Sequence, residues 1–151
     1  IDFSREGNGW SYKYARRQWN LVDNKDLCYH YLGDFDREML RVITSEKGFN
    51  KTPVQEIWHN DSDQILAFMR GDLIFVFNFS PTRSFADYGF LVPTGSYNVV
   101  LNTDARIFGG NGLADDTVTH LTNYDPLYSK ENKEWLKLYI PARSAVVLKK
   151  N

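Results

Sequence analysis

The dipeptide Gly71-Asp72, set between ILAFMR and LIFVFNF, constrains this chain more than any other feature. Two runs rich in β-branched and aromatic residues, joined by two residues suited to a tight turn, predict an antiparallel hairpin over 65–70 and 73–79. The same signature recurs. Val54–His59 precedes the hairpin across the turn Asn60-Asp61-Ser62-Asp63, and Ser96–Leu101, Trp135–Ile140 and Ala145–Lys149 follow as short, turn-bounded runs. Strands of this length and spacing predict an antiparallel β-sandwich. Between Asn102 and Lys133 the chain reads as a long polar loop with one or two short edge strands, and Gly109-Gly110-Asn111-Gly112 reads as a turn within it.

Upstream the period changes. From about Lys25 to Lys47, Cys28, Tyr31, Leu32, Phe35, Met39, Val42 and Ile43 recur at three- and four-residue steps, which predicts an amphipathic helix. Gly33-Asp34 marks an expected interruption, with Asp34 capping a second segment, and Gly48 an expected stop. Cys28 falls on the apolar face and reads as a small core residue. Residues 1 to about 24 hold Gly7, Gly9 and many aromatics without a period, as an ordered extended loop would. A loop and one helix cannot close a core by themselves, and the chain begins at Ile1 without a methionine. Both features lead to the expectation of a piece of a longer protein, with its first third belonging to an upstream domain.

The composition excludes several classes. A net charge of −1 offers no broad basic face for nucleic acid, and no apolar run approaches the roughly 20 residues of a membrane span. One cysteine in 151 residues cannot form an internal disulfide and fits a reducing, cytoplasmic compartment. His30, His59 and His120 stand apart without metal-ligand spacing, and 109–112 lacks the lysine and helix of a phosphate loop. Asn60-Asp61-Ser62 and Asn78-Phe79-Ser80 match the glycosylation sequon.

The stretch SYKYARRQWN, 11–20, sets large flat rings beside fixed positive charge. With Ile1-Asp2-Phe3, Arg5, Gly7-Asn8 before it and Phe35-Asp36-Arg37-Glu38-Met39 after it, this segment resembles the end of the catalytic barrel in the glycogen (1,4-α-glucan) branching enzymes of the α-amylase superfamily. The resemblance continues through LIFVFNFSP from Leu73, Gly95–Leu101 with Asn102-Thr103-Asp104, Phe108-Gly109-Gly110, and Tyr139-Ile140-Pro141-Ala142-Arg143-Ser144-Ala145, so it spans almost the whole chain. YARRQW is specific to branching enzymes, whereas the later motifs indicate only the superfamily's sandwich. Ser4 stands where that family has proline, which removes no chemical group.

The resemblance implies a mainly β chain. Residues 1–50 would be the last loop and helix of a (β/α)8 TIM barrel, and 51–151 a C-terminal antiparallel β-sandwich of the α-amylase type. It also implies the parent's reaction: an α-1,4-glucan is cut through a covalent glycosyl-enzyme and transferred to a 6-hydroxyl, with no cofactor. Retaining transfer needs two carboxyl groups about 5 Å apart. The acidic residues here read as helix, cap and turn positions, and in that family the catalytic carboxylates come from earlier strands, so no catalytic residue is expected in this chain. The expected partners are α-glucan or glycogen, met through the parent enzyme, and the chain's own barrel, with neither nucleic acid nor membrane.

A loop after the last barrel strand would lie at the active-site mouth. Trp10 and Tyr12 are therefore candidate glucan contacts. Arg16 and Arg17 either orient glucan or anchor the loop on a buried carboxylate, and Tyr14 and Trp19 pack between barrel and sandwich or touch glucan. Two other functions stay open: a free-standing glucan-binding sandwich, or the sandwich of an amylase or debranching enzyme. A binding module would display aromatics on one exposed face. Trp58, Phe68, Phe75, Phe77 and Phe79 read mostly as buried-strand positions, which favours a structural sandwich.

Overall fold

The structure, a computed structural model, describes residues 18–126 and 133–151. Two helices come first, α1 (Asn20–Asp23) and α2 (Tyr29–Ser45). Eight strands follow: β1 (Gln55–Asn60), β2 (Ile65–Arg70), β3 (Leu73–Asn78), β4 (Phe85–Phe90), β5 (Ser96–Asn102), β6 (Thr119–Tyr124), β7 (Glu134–Ile140) and β8 (Ser144–Lys150). They form one curled antiparallel sheet in the order β1-β2-β3-β8-β5-β6-β7-β4. Its two halves face each other as a sandwich.

Alternation along the strands fixes what lies between the halves. Ile65 and Ala67 of β2, Ile74 and Val76 of β3, and Val146 and Leu148 of β8 face Phe90, Tyr97, Leu136, Leu138 and Ile140, all buried. The expected hairpin is present, in unbroken register from Arg70↔Leu73 to Ile65↔Asn78. The other side of the same strands carries Leu73, Phe75 and Val147, and α2 lies across it with Phe35, Met39 and Val42, residues spaced i, i+4, i+7. Lys149 Nζ donates to Glu46 Oε1 at 2.5 Å, tying the helix end to β8. Arg70 donates to the Thr52 and Asn50 carbonyls and stacks over Phe49, closing the connection from α2 to β1.

Four expectations change. Gly33-Asp34 does not interrupt α2, because a Cβ on Gly33 would stand 2.9 Å from Val22 Cγ1: the glycine permits α1 to approach. Asp34 accordingly pairs with Arg37 on the surface instead of capping. The buried stripe is narrower than the periodicity implies, since Cys28 is an exposed residue at the helix start and Leu32 is 70% exposed. β4 goes unrecognised in the sequence because Ala86, Asp87 and Gly89 break its pattern, and the strand is bulged between Phe85 and Tyr88. β6 is no edge strand; it bridges β5 and β7, where the sheet folds over.

The aromatic residues also change sides. Phe68, Phe75 and Phe77 lie opposite the sandwich core, stacked at 4.8 and 5.8 Å, and the row ends on Phe79, 5.6 Å from Phe77 and 60% exposed. Continuous apolar runs do not say which parity points inward. Here the aliphatic parity fills the narrow interior and the rings take the outer face, of which α2 covers only the Phe75 end. Because Cys28 is exposed, its thiol is expected to react with Ellman's reagent in the native chain nearly as fast as in denaturant. Protection by a hundredfold or more would restore the core reading.

Candidate functional site

The residues that the sequence nominates for glucan contact, Trp10, Tyr12, Arg16 and Arg17, lie outside the described residues, as does Tyr14. Trp19 is exposed at the start of α1. The carboxylates that form ion pairs or accept hydrogen bonds among the described residues serve structure. Glu38 pairs with Arg41, whose hydrogen bond holds that carboxyl below its ordinary value. Asp104 accepts the Asn111 and Leu113 amides, and Asp115 accepts from Thr117. Among the described residues no His, Cys, Asp and Glu groups converge on a metal site. Of the two sequons, Asn78 is sealed: its side chain is buried and fully engaged, so the folded chain offers no amide there for modification.

A ring-lined cleft lies where the two free edges of the sheet meet. β1 and β4 stand at opposite ends of the strand order, and the curl brings a side chain of each into contact, Trp58 against Tyr88. Trp58 of β1, Ala86, Asp87, Tyr88 and Gly89 of β4, and Trp135 of β7 line a cavity of about 350 Å³. The Trp58 Nε1–H donates to Tyr88 Oη at 3.2 Å, and Tyr88 Oη donates to Asp63 Oδ2 at 3.1 Å. Asp63 in turn pairs with Arg83 at 2.9 Å. Burial of the phenol raises the Tyr88 pKa above its ordinary value, so this hydroxyl keeps its proton to donate. Trp58 is 46% exposed, contrary to the buried parity expected of it. Sequence reasoning missed the cleft because its members come from three separate strands, and only the curl of the sheet brings them together.

The chain matches the family "Alpha amylase, C-terminal all-beta domain" over residues 57–151. It is 41% identical over 98% of its length to a "1,4-alpha-glucan-branching enzyme" of Rhizophagus irregularis, covering 22% of that protein. To the Saccharomyces cerevisiae protein of the same name it is 39% identical over 98% of its length, covering 21%. With a "1,4-alpha-glucan-branching enzyme, chloroplastic/amyloplastic" of Oryza sativa subsp. japonica it shares 44% over 82% of this chain, covering 15% of that protein. The chain thus spans about a fifth of the length of the curated relatives it matches. The eight antiparallel strands begin within two residues of the matched span, and on that agreement the chain belongs to the alpha-amylase C-terminal all-beta domain family.

Proposed function

We propose that this chain is the C-terminal portion of a 1,4-α-glucan-branching enzyme, the glycosyltransferase that places α-1,6 branches on glycogen-like glucan. One observation carries the reading: similarity to branching enzymes runs over 98% of the chain, far upstream of the family-model match that begins at residue 57. In this reading residues 1–50 are the last loop and helix of the catalytic barrel, and 51–151 are the sandwich that supports it. The parent protein, a cytoplasmic one in this reading, works on α-glucan, and the chain flanks its groove. Exposed Tyr29, Leu32 and Leu40 on α2 support the barrel contact, since a helix that ends a domain keeps apolar residues for its neighbours.

The protein that carries this chain is expected to shift the iodine band of amylose to shorter wavelength, and to create chains released by a debranching enzyme. Shortening of amylose with no new α-1,6 linkage would overturn the reading and favour an amylase. The 151-residue chain alone is expected to leave the iodine spectrum unchanged, because in this reading the paired carboxylates required for transfer lie upstream.

A further inference from the structure

We propose that Asn111-Gly112 is a site of spontaneous deamidation gated by its hydrogen bonds to Asp104, and that the isoaspartate product releases α2 from the sandwich. The chain holds two Asn-Gly pairs, Asn8-Gly9 and Asn111-Gly112, and the second lies among the described residues. Glycine after asparagine leaves the backbone nitrogen unshielded by a Cβ, so that nitrogen can approach the carboxamide carbon. Asn111 is exposed, and its side-chain amide makes no hydrogen bond among the described residues.

The chemistry needs only water. The Gly112 nitrogen gives up its proton to solvent and attacks Asn111 Cγ. An N–Cγ bond forms, the Cγ–Nδ2 bond breaks, and Nδ2 takes up a proton from water and leaves as ammonia. One water then opens the resulting succinimide at either carbonyl. One opening yields aspartate, and the other yields isoaspartate, in which the backbone runs through Cβ and Cγ.

The fold holds back the first step. The Gly112 N–H donates to the Asp104 carbonyl oxygen at 2.7 Å, so the proton that must leave is engaged. The amides on either side are engaged by the same residue, Asn111 with Oδ1 at 2.9 Å and Leu113 with Oδ2 at 2.7 Å. Asp104 is itself buried, so these acceptors are sheltered from competing water. Attack therefore waits for the loop to open locally. The turn also demands the residue that makes it reactive. Gly112 holds φ at 64°, and a Cβ there would stand 3.0 Å from Arg106 Cγ and Nε.

The two products differ in what they do to the loop. Aspartate keeps the backbone spacing and adds one charge at an exposed position. Isoaspartate inserts one more backbone atom between the amides of 111 and 112. Three successive amides now meet a single residue, and the extra atom moves two of them out of register with it. The loop that loses this anchor is the one seating α2, through Phe108 on the Phe35 ring and Gly109 beneath Tyr31.

Aging the intact protein that carries this chain in mildly alkaline buffer tests the proposal. Mass mapping of the tryptic peptide that follows Arg106 reads position 111 separately from Asn8-Gly9, which falls on another peptide. Asn111 is expected to convert at least about tenfold more slowly in the folded protein than in urea. That slowing should match the protection of the Gly112 amide against hydrogen exchange within about an order of magnitude. Equal rates in the two states, or a slowing that departs from the Gly112 protection in either direction, overturns the gate. Amide exchange in α2 should quicken as isoaspartate accumulates. Asn111→Gln, which closes the corresponding ring far less readily, should age without this loosening, and Asn111→Asp should leave α2 exchange within about twofold of wild type. Aged protein that contains isoaspartate yet keeps its α2 protection overturns the release. So does an Asn111→Asp protein loosened as much as the aged one, which would make charge and not backbone length the cause.

Discussion

Asn78→Asp is expected to destabilise this chain by about 4 kcal/mol, more than Asn78→Ala at about 3 kcal/mol, although aspartate is the closer match in shape. Asn78 ends β3 with its side chain 1% exposed. Its Nδ2 donates to the carbonyls of Arg83, Pro141 and Ile140 at 2.8, 2.9 and 3.2 Å, and its Oδ1 accepts the Ser80 amide at 3.0 Å. One amide therefore joins the exit of β3, the approach to β4 and the turn from β7 to β8. Alanine leaves those backbone groups without their partner, each a cost of roughly 1–3 kcal/mol that entering water offsets in part. Aspartate does worse. It turns a donor into an acceptor facing carbonyl oxygens, where only protonation relieves it.

The pH dependence separates the two costs. In the variant, the folded carboxyl would have its pKa raised above the unfolded value of about 3.9, so stability rises as pH falls through the raised value. The urea midpoint of Asn78→Asp should approach that of Asn78→Ala in acid, while the Ala variant shows no such convergence of its own. Equal midpoints for Asn78→Asp and wild type at neutral pH would remove Asn78 from this role.

Asn78 also shows what the sequence could convey. LIFVFN announced a strand, and the spacing of turns announced the sandwich, because both signals are local. The polar residue closing that strand gave no sign that it would bind backbone 62 and 63 residues away. Phe68, Phe75 and Phe77 were legible as strand residues but not as outward ones, since parity alone does not name the inner face. The helix was legible and its continuity through Gly33 was not, because the reason lies in α1, an element of four residues without a signal of its own. The seam cleft depends on two edge strands meeting, a consequence of sheet curl that no window of sequence contains. Resemblance carried the family further than periodicity did, yet it pointed to Trp10, Tyr12, Arg16 and Arg17 and was silent about Trp58 and Trp135.

Gly110→Ala is expected to cost about 3 kcal/mol and to lower the melting temperature by roughly 10 °C. A Cβ at 110 would stand 2.2 Å from the Asp104 carbonyl oxygen and 2.5 Å from its Cα. Both atoms are backbone and cannot swing aside as a flexible side chain would. Nor can the Asp104 region retreat cheaply. Its carboxylate accepts the Asn111 and Leu113 amides at 2.9 and 2.7 Å, its carbonyl accepts the Gly112 amide at 2.7 Å, and its own amide is held by Asn102 Oδ1. Relief of the clash requires opening this clasp. The same loop seats α2: Phe108 meets the Phe35 ring edge-on at 5.5 Å, and Gly109 lies beneath Tyr31. Amide exchange in α2 should therefore quicken in Gly110→Ala, although the substitution lies more than sixty residues downstream. Gly48→Ala provides the contrast, having a left-handed φ of 79° and no atom within 4 Å of a new Cβ. It should cost only about 1 kcal/mol and leave α2 exchange unchanged. A Gly110→Ala chain that melts within 3 °C of wild type, or that loosens the loop while α2 keeps its protection, would show that the clasp does not hold the helix to the sheet.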